Sequence, residues 1–162
     1  VETIKKSIQN TLDLIQKINP KVNFIFTVSP VRHLKDGFVE NQLSKAHLIT
    51  AIHQILKSEI CNLKSAIYFP SYEIMMDELR DYRFYAEDMI HPNSVAIDYI
   101  WQRFSETSIS EESHSIMKEV ETIQKGLAHR PFNPNSASHQ QFLSKLNDKM
   151  VKLQKQFPQI QF

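Results

Sequence analysis

Apolar positions recur every three or four residues from the start of the chain: Val1, Ile4, Ile8, Leu12, Ile15 and Ile18, with Lys5, Lys6, Gln9 and Gln16 between them. That spacing predicts an amphipathic helix over 1–18, ended by Asn19–Pro20. The unbroken run VNFIFTV (22–28) is β-branched and aromatic. It predicts a strand buried on both faces, as in a parallel sheet covered by helices. SPVRHLKDGFVENQ (29–42) reads as a polar loop. Leu43, Ala46, Ile49, Ile52, Ile55 and Leu56 then mark a helix over about 43–57. SAIYF (65–69) predicts a second buried strand, YEIMMDEL (72–79) a short helix and 80–92 a loop. Pro92 or Asn93 opens a helix running to about Phe104.

The order over 1–104 is thus α-β-α-β-α-α, an alternation that argues for a parallel α/β layer with helices on both faces. Two strands make too small a sheet to stand alone, since three or more are normally needed. Val1 opens the chain in what reads as the middle of a helix, so the remaining strands are expected upstream of it. Residues 1–107 are therefore expected to be the carboxyl-terminal part of an α/β domain. Isolated, residues 1–162 are expected to be unstable or to associate through exposed strand edges.

From Ser105 the pattern changes. SETSISEE carries the hydroxyls and acids of a linker and helix cap. Ile116, Met117, Val120, Ile123 and Leu127 mark one helix and Phe142, Leu143, Leu146, Met150 and Leu153 another. AHRPFNPNSASH, with its prolines, breaks the chain between them. Residues 108–162 thus form a helical appendage, with a hairpin over about 110–156.

Composition narrows the function classes. Nineteen basic and 18 acidic residues leave a net charge of +1, which gives no electrostatic reason to expect nucleic acid or an anionic membrane as partner. No apolar run reaches the length of a membrane span and no signal peptide opens the chain. Cys61 is the one cysteine, so an internal disulfide and a cysteine-based metal site are both excluded. This is compatible with a reducing compartment such as the cytoplasm. Only Gly37 and Gly126 are glycines, too few for a phosphate-cradling loop or a strained nucleophile turn. No cofactor is expected.

Seven histidines (33, 47, 53, 91, 114, 129 and 139) include no pair at i,i+4 with a nearby acid, so no metal is expected. In open α/β sheets ligands bind beyond the carboxyl ends of the strands. SPVRH, PSYE and AEDMIHPN should share that edge, which gathers Ser29, Arg32, His33, Ser71, Asp88 and His91. Ser29 and Ser71 each abut a proline and lack glycine neighbours, the setting of a turn or capping hydroxyl more often than of a nucleophile. Arg32, His33 and Ser29 are candidates for substrate contact, while Arg32 and His33 could instead pair with Asp36 or Glu40. Asp88 and His91 stand three apart ahead of a helix. A carboxylate accepting the Nδ1 proton fixes the imidazole tautomer and leaves Nε2 free as a general base. The plainer reading is a solvated loop pair or a cap for the helix at Asn93.

The motifs FTVSPVRH, NQLSKAHL and YFPSYEIMMDELRDYRFYAEDMIHPN together resemble the GSCFA family, a relative of the SGNH (GDSL-type) hydrolases, over roughly residues 1–104. The resemblance implies a three-layer, flavodoxin-like α/β fold. It also implies that Asp88 and His91 match the Asp-x-x-His block that supplies acid and base to a Ser-His-Asp triad. The Gly-Ser-Cys-Phe-Ala segment that would hold the serine does not occur in these residues, nor do the glycine and asparagine blocks of an oxyanion hole; both are expected upstream. The expected activity is hydrolysis or transfer of an acyl ester, on a carbohydrate or other small hydroxylated carrier. The alternative is a non-catalytic α/β module that docks a protein partner through the hairpin.

Overall fold

The computed structural model describes residues 1–58 and 66–162, so Cys61 and the first residue of the expected strand 65–69 lie outside it. The chain divides into two compact units, Val1–Thr107 and Ser108–Phe162.

In the first unit, α1 (Glu2–Ile18) leads to β1 (Phe24–Phe26), α2 (Phe38–Lys57) and β2 (Ala66–Tyr68). The strands pair in parallel, with Phe24, Ile25 and Phe26 opposite Ala66, Ile67 and Tyr68. After β2 come one α-helical turn, α3 (Ser71–Glu73), a π-helical turn over Ile74–Glu78 and a 3-10 turn over Tyr82–Phe84. Helix α4 (Ser94–Ser108) closes the unit. The architecture is α/β, mostly helical, around a small parallel sheet.

Two apolar clusters hold it. Val28, Ile52 and Tyr72 pack with Ile8, Phe26 and Tyr68 where α1 and α2 cover one sheet face. Phe69, Met75, Leu79, Tyr85 and Ala96 pack with Ile100 and Phe104 of α4. Met76 touches both clusters, so the irregular turn after β2 joins the helical layers.

Three expectations need correction. The strands are not buried on both faces: Ile25 and Ile67 are 45% and 47% exposed, because α1 and α2 cover only the face bearing Phe26 and Tyr68. Helix α2 starts at Phe38, not at about 43, on Gly37, whose φ of 89° suits a residue without a Cβ. Its buried stripe is Lys45, Ala51, Ile52 and Ile55, while Leu43 is 53% exposed. Finally, α4 continues through the first half of the expected linker, to Ser108.

The second unit is a helical hairpin, α5 (Glu111–Ala128) and α6 (Ala137–Gln156). Ile123, Leu146 and Leu153 form its core, with Ile116, Val120, Met150 and Phe157 around them. Ser136 caps α6 by accepting the His139 backbone N–H at 3.2 Å. Lys145, Lys149, Lys152 and Lys155 are exposed.

Candidate functional site

Asp88 and His91 occupy a turn between the 3-10 segment and α4. Asp88 Oδ1 accepts the backbone N–H groups of Ile90 (2.9 Å) and His91 (3.0 Å), and Oδ2 lies 2.6 Å from His91 Nδ1. The carboxylate therefore shapes the loop and holds the ring at once. These hydrogen bonds, the His91 backbone N–H first, then that of Ile90 and then the imidazole, hold the Asp88 carboxyl down at about 2. An ionised Asp88 can only accept, so Nδ1 carries the proton and Nε2 is left with its lone pair. Among the described residues Nε2 has no hydrogen-bond partner, and the His91 side chain is 58% exposed.

The turn is tight. Met89 between the pair has φ of 60°, the left-handed region that a Cβ disfavours. Ala86 holds it from both sides, accepting from Met89 N (3.0 Å) and donating to the His91 carbonyl (2.7 Å). Tyr85 and Pro92 form an antiparallel bridge just outside. Asn93 then anchors the exit. Its Oδ1 accepts the Ala96 N–H at 3.1 Å as the cap of α4, and its Nδ2 donates to the Arg83 carbonyl at 2.6 Å.

Arg32 reaches this turn from the segment after β1. Its Nη2 donates to Tyr85 Oη (3.1 Å), Nη1 sits 3.5 Å from the Met89 carbonyl, and the guanidinium stacks over the Tyr85 ring at 4.4 Å. It pairs with neither Asp36 nor Glu40, and no carboxylate of the described residues lies within ion-pair distance of it. His33 is engaged through its backbone, whose N–H donates to Asn41 Oδ1 at 2.9 Å.

Neither serine meets His91. Ser29 Oγ accepts the Val31 N–H at 3.2 Å, a local turn, and its carbonyl accepts from Lys45 Nζ at 2.7 Å. Ser71 is buried and donates to the Val28 carbonyl at 2.9 Å, so Thr27 is the donor in the 2.6 Å contact between their hydroxyls. No hydroxyl of the described residues is hydrogen-bonded to His91.

Two residues escaped the pattern reading. Tyr85 carries Arg32 from 53 positions away, and no local signal announces it. Lys45 is only 5% exposed, its burial lowers its pKa, and it pins the segment carrying Arg32. A signal for it existed: it stands on the helical stripe of Leu48, Ile52 and Ile55.

The GSCFA family model matches residues 1–104, and a model described as the C-terminal domain of GSCFA domain protein matches residues 120–162. The chain belongs to the GSCFA family. The Asp88–His91 turn, Arg32 and both strands of this GSCFA chain fall inside the first match, and both hairpin helices overlap the second. No curated protein and no solved structure matches it. Among the described residues of this GSCFA chain there is no cluster of three or more His, Cys, Asp or Glu that could hold a metal, and no helix long and apolar enough to cross a membrane.

Proposed function

We propose that this chain supplies the acid and base of a serine hydrolase of the SGNH type, acting on an acyl ester of a small hydroxylated carrier, in a domain of three-layer, flavodoxin-like plan. One observation carries the reading: a charged carboxylate 2.6 Å from His91 Nδ1, with Nε2 unoccupied at an exposed turn. Such an imidazole can take a hydroxyl proton while the carboxylate stabilises the imidazolium that forms. We place the nucleophile on a serine outside these 162 residues: among the described residues no hydroxyl is hydrogen-bonded to His91, and Ser29 and Ser71 are held in turn and core hydrogen bonds. Arg32 orders the catalytic turn, and the segment from Ser29 to His33 borders the substrate.

The test is turnover of short-chain acyl nitrophenyl esters by the whole protein. Activity that disappears in His91→Ala, with an unchanged melting curve, supports the reading. Turnover of any ester that survives His91→Ala overturns it.

A second reading, a hairpin that docks a protein partner, draws on Phe132. In the connection between α5 and α6 this ring is fully exposed, with a relative accessibility of 107%. A Phe132→Ser variant that keeps its stability and all ester turnover but loses a co-purifying protein would favour it.

A further inference from the structure

A recess of about 300 Å³ is lined by Arg32 together with Phe38, Asn41, Gln42 and Tyr82. Its walls include the rings of Phe38 (76% exposed) and Tyr82 (63% exposed). Its polar side chains are unevenly occupied. Asn41 Oδ1 already accepts the His33 backbone N–H, and Gln42 Oε1 accepts Tyr72 Oη at 2.8 Å. Both amide carbonyls are therefore engaged, while Asn41 Nδ2 and Gln42 Nε2 have no partner among the described residues. Among the described residues, Arg32 is the only formally charged one lining the recess. Stacking on Tyr85 and donation to its hydroxyl fix the guanidinium without neutralising it. A second recess shares Arg32 and Tyr82 and contains Asp81, but that carboxylate is taken by Arg83 at 3.1 Å.

Amide donors, a fixed cation and two ring faces, with no carboxylate, define the complement of one ligand class. We propose that this recess binds an oxyanion, a carboxylate or phosphoryl group, carried on a flat or apolar body. The anion accepts from Arg32, Asn41 and Gln42 while the body lies against Phe38 and Tyr82. Neutral acceptor-poor molecules of the same shape leave these donors unmet and are rejected. Where the proposed hydrolase reading holds, this is the subsite for the anionic end of the ester. Arg32 links the two places by touching the Met89 carbonyl, two residues before His91.

Benzoate, phenyl phosphate and neutral benzamide, titrated into the whole protein by calorimetry, test this. Both anions are expected to bind, with benzamide at least tenfold weaker; the tighter of the two tells whether a carboxylate or a phosphoryl source is meant. Gln42→Glu and Asn41→Asp keep the carbonyl acceptors that Tyr72 and His33 use but replace each donor with a negative charge. Each should weaken benzoate about tenfold or more with melting unchanged. Equal binding of benzamide, no binding of either anion, or unchanged affinity in both variants overturns the proposal. His91→Ala should leave benzoate affinity intact. A protein that binds benzoate but turns over no ester thus removes the hydrolase reading and keeps the recess.

Discussion

Arg32 Nη2 donates to Tyr85 Oη at 3.1 Å, and the same guanidinium stands 4.4 Å from the centre of the Tyr85 ring. Two residues 53 positions apart thus brace the turn that carries Asp88 and His91. The brace ends at the Met89 carbonyl, the residue with positive φ, where an unsupported loop would relax first.

Arg32→Ala should therefore cost about 1–2 kcal/mol, the sum of one cation–π contact and one hydrogen bond. Arg32→Lys should recover less than half of it, since an ammonium cannot both stack flat and donate from two nitrogens. Urea denaturation of the whole protein measures both. Wild-type stability in Arg32→Ala would mean that the turn is held by Ala86, Asp88 and Asn93 alone.

How far the sequence reached follows from the range of each interaction. The Asp88–His91 contact spans three residues and the Asn93 cap another three, so both are written locally. The Arg32–Tyr85 brace depends on the chain folding back, which no periodicity encodes. Helix α2 was expected to start late because its first turn shows no apolar periodicity toward the core: Phe38 and Val39 are 76% and 74% exposed. The strands read as two-sided because Ile25 and Ile67 are apolar. Hydrophobicity alone cannot say whether a helix covers the face they occupy. The π-helical turn at Ile74–Glu78 has the same apolar pattern as an α-helix and was not distinguishable from one.

Ser71 offers a clean separation of structural and catalytic hydroxyls. Its proton goes to the Val28 carbonyl inside the core, so Ser71→Ala leaves that carbonyl and Thr27 Oγ1 short of a partner. A loss of roughly 1–3 kcal/mol is expected, with ester turnover per folded molecule unchanged. Abolished turnover at wild-type stability would instead make Ser71 the nucleophile.

In the hairpin, Gly126 of α5 faces Leu146 of α6. A Cβ at 126 would fall 2.7 Å from Leu146 Cδ1 and 3.1 Å from Cδ2. Alanine gains up to about 1 kcal/mol in helix propensity, but overpacking a core costs roughly 1–3 kcal/mol. Leu146 is only 6% exposed and has little room to turn away, so the clash should win. Gly126→Ala is expected to lower stability, Gly126→Val more so. Leu146→Ala alone should cost about 2–5 kcal/mol. The double variant Gly126→Ala with Leu146→Ala should be more stable than the two losses added together. Simple additivity in that cycle would show that the two positions do not meet.

The Asp88 carboxyl, held at about 2 against an ordinary value of 3.8, sets the sign of the last prediction. A depressed folded-state pKa contributes stability that is complete above about pH 4 and is lost as the pH falls toward 2. The His91 ring should therefore keep its Nδ1 contact well below pH 4 and lose it only as the pH falls through about 2, followed by nitrogen shifts of histidine-labelled protein. Asp88→Asn should abolish that acid transition. On the hydrolase function proposed above, it should also lower kcat by up to about 10⁴-fold, because an amide no longer demands the Nδ1–H tautomer. Above pH 4 the Asp88 carboxyl stays ionised, so it should add no proton to the acid limb of kcat/KM in the wild type. A two-proton limb in that range that loses one proton in Asp88→Asn would mean that Asp88 titrates there and is not the fixed charge that its backbone hydrogen bonds make it.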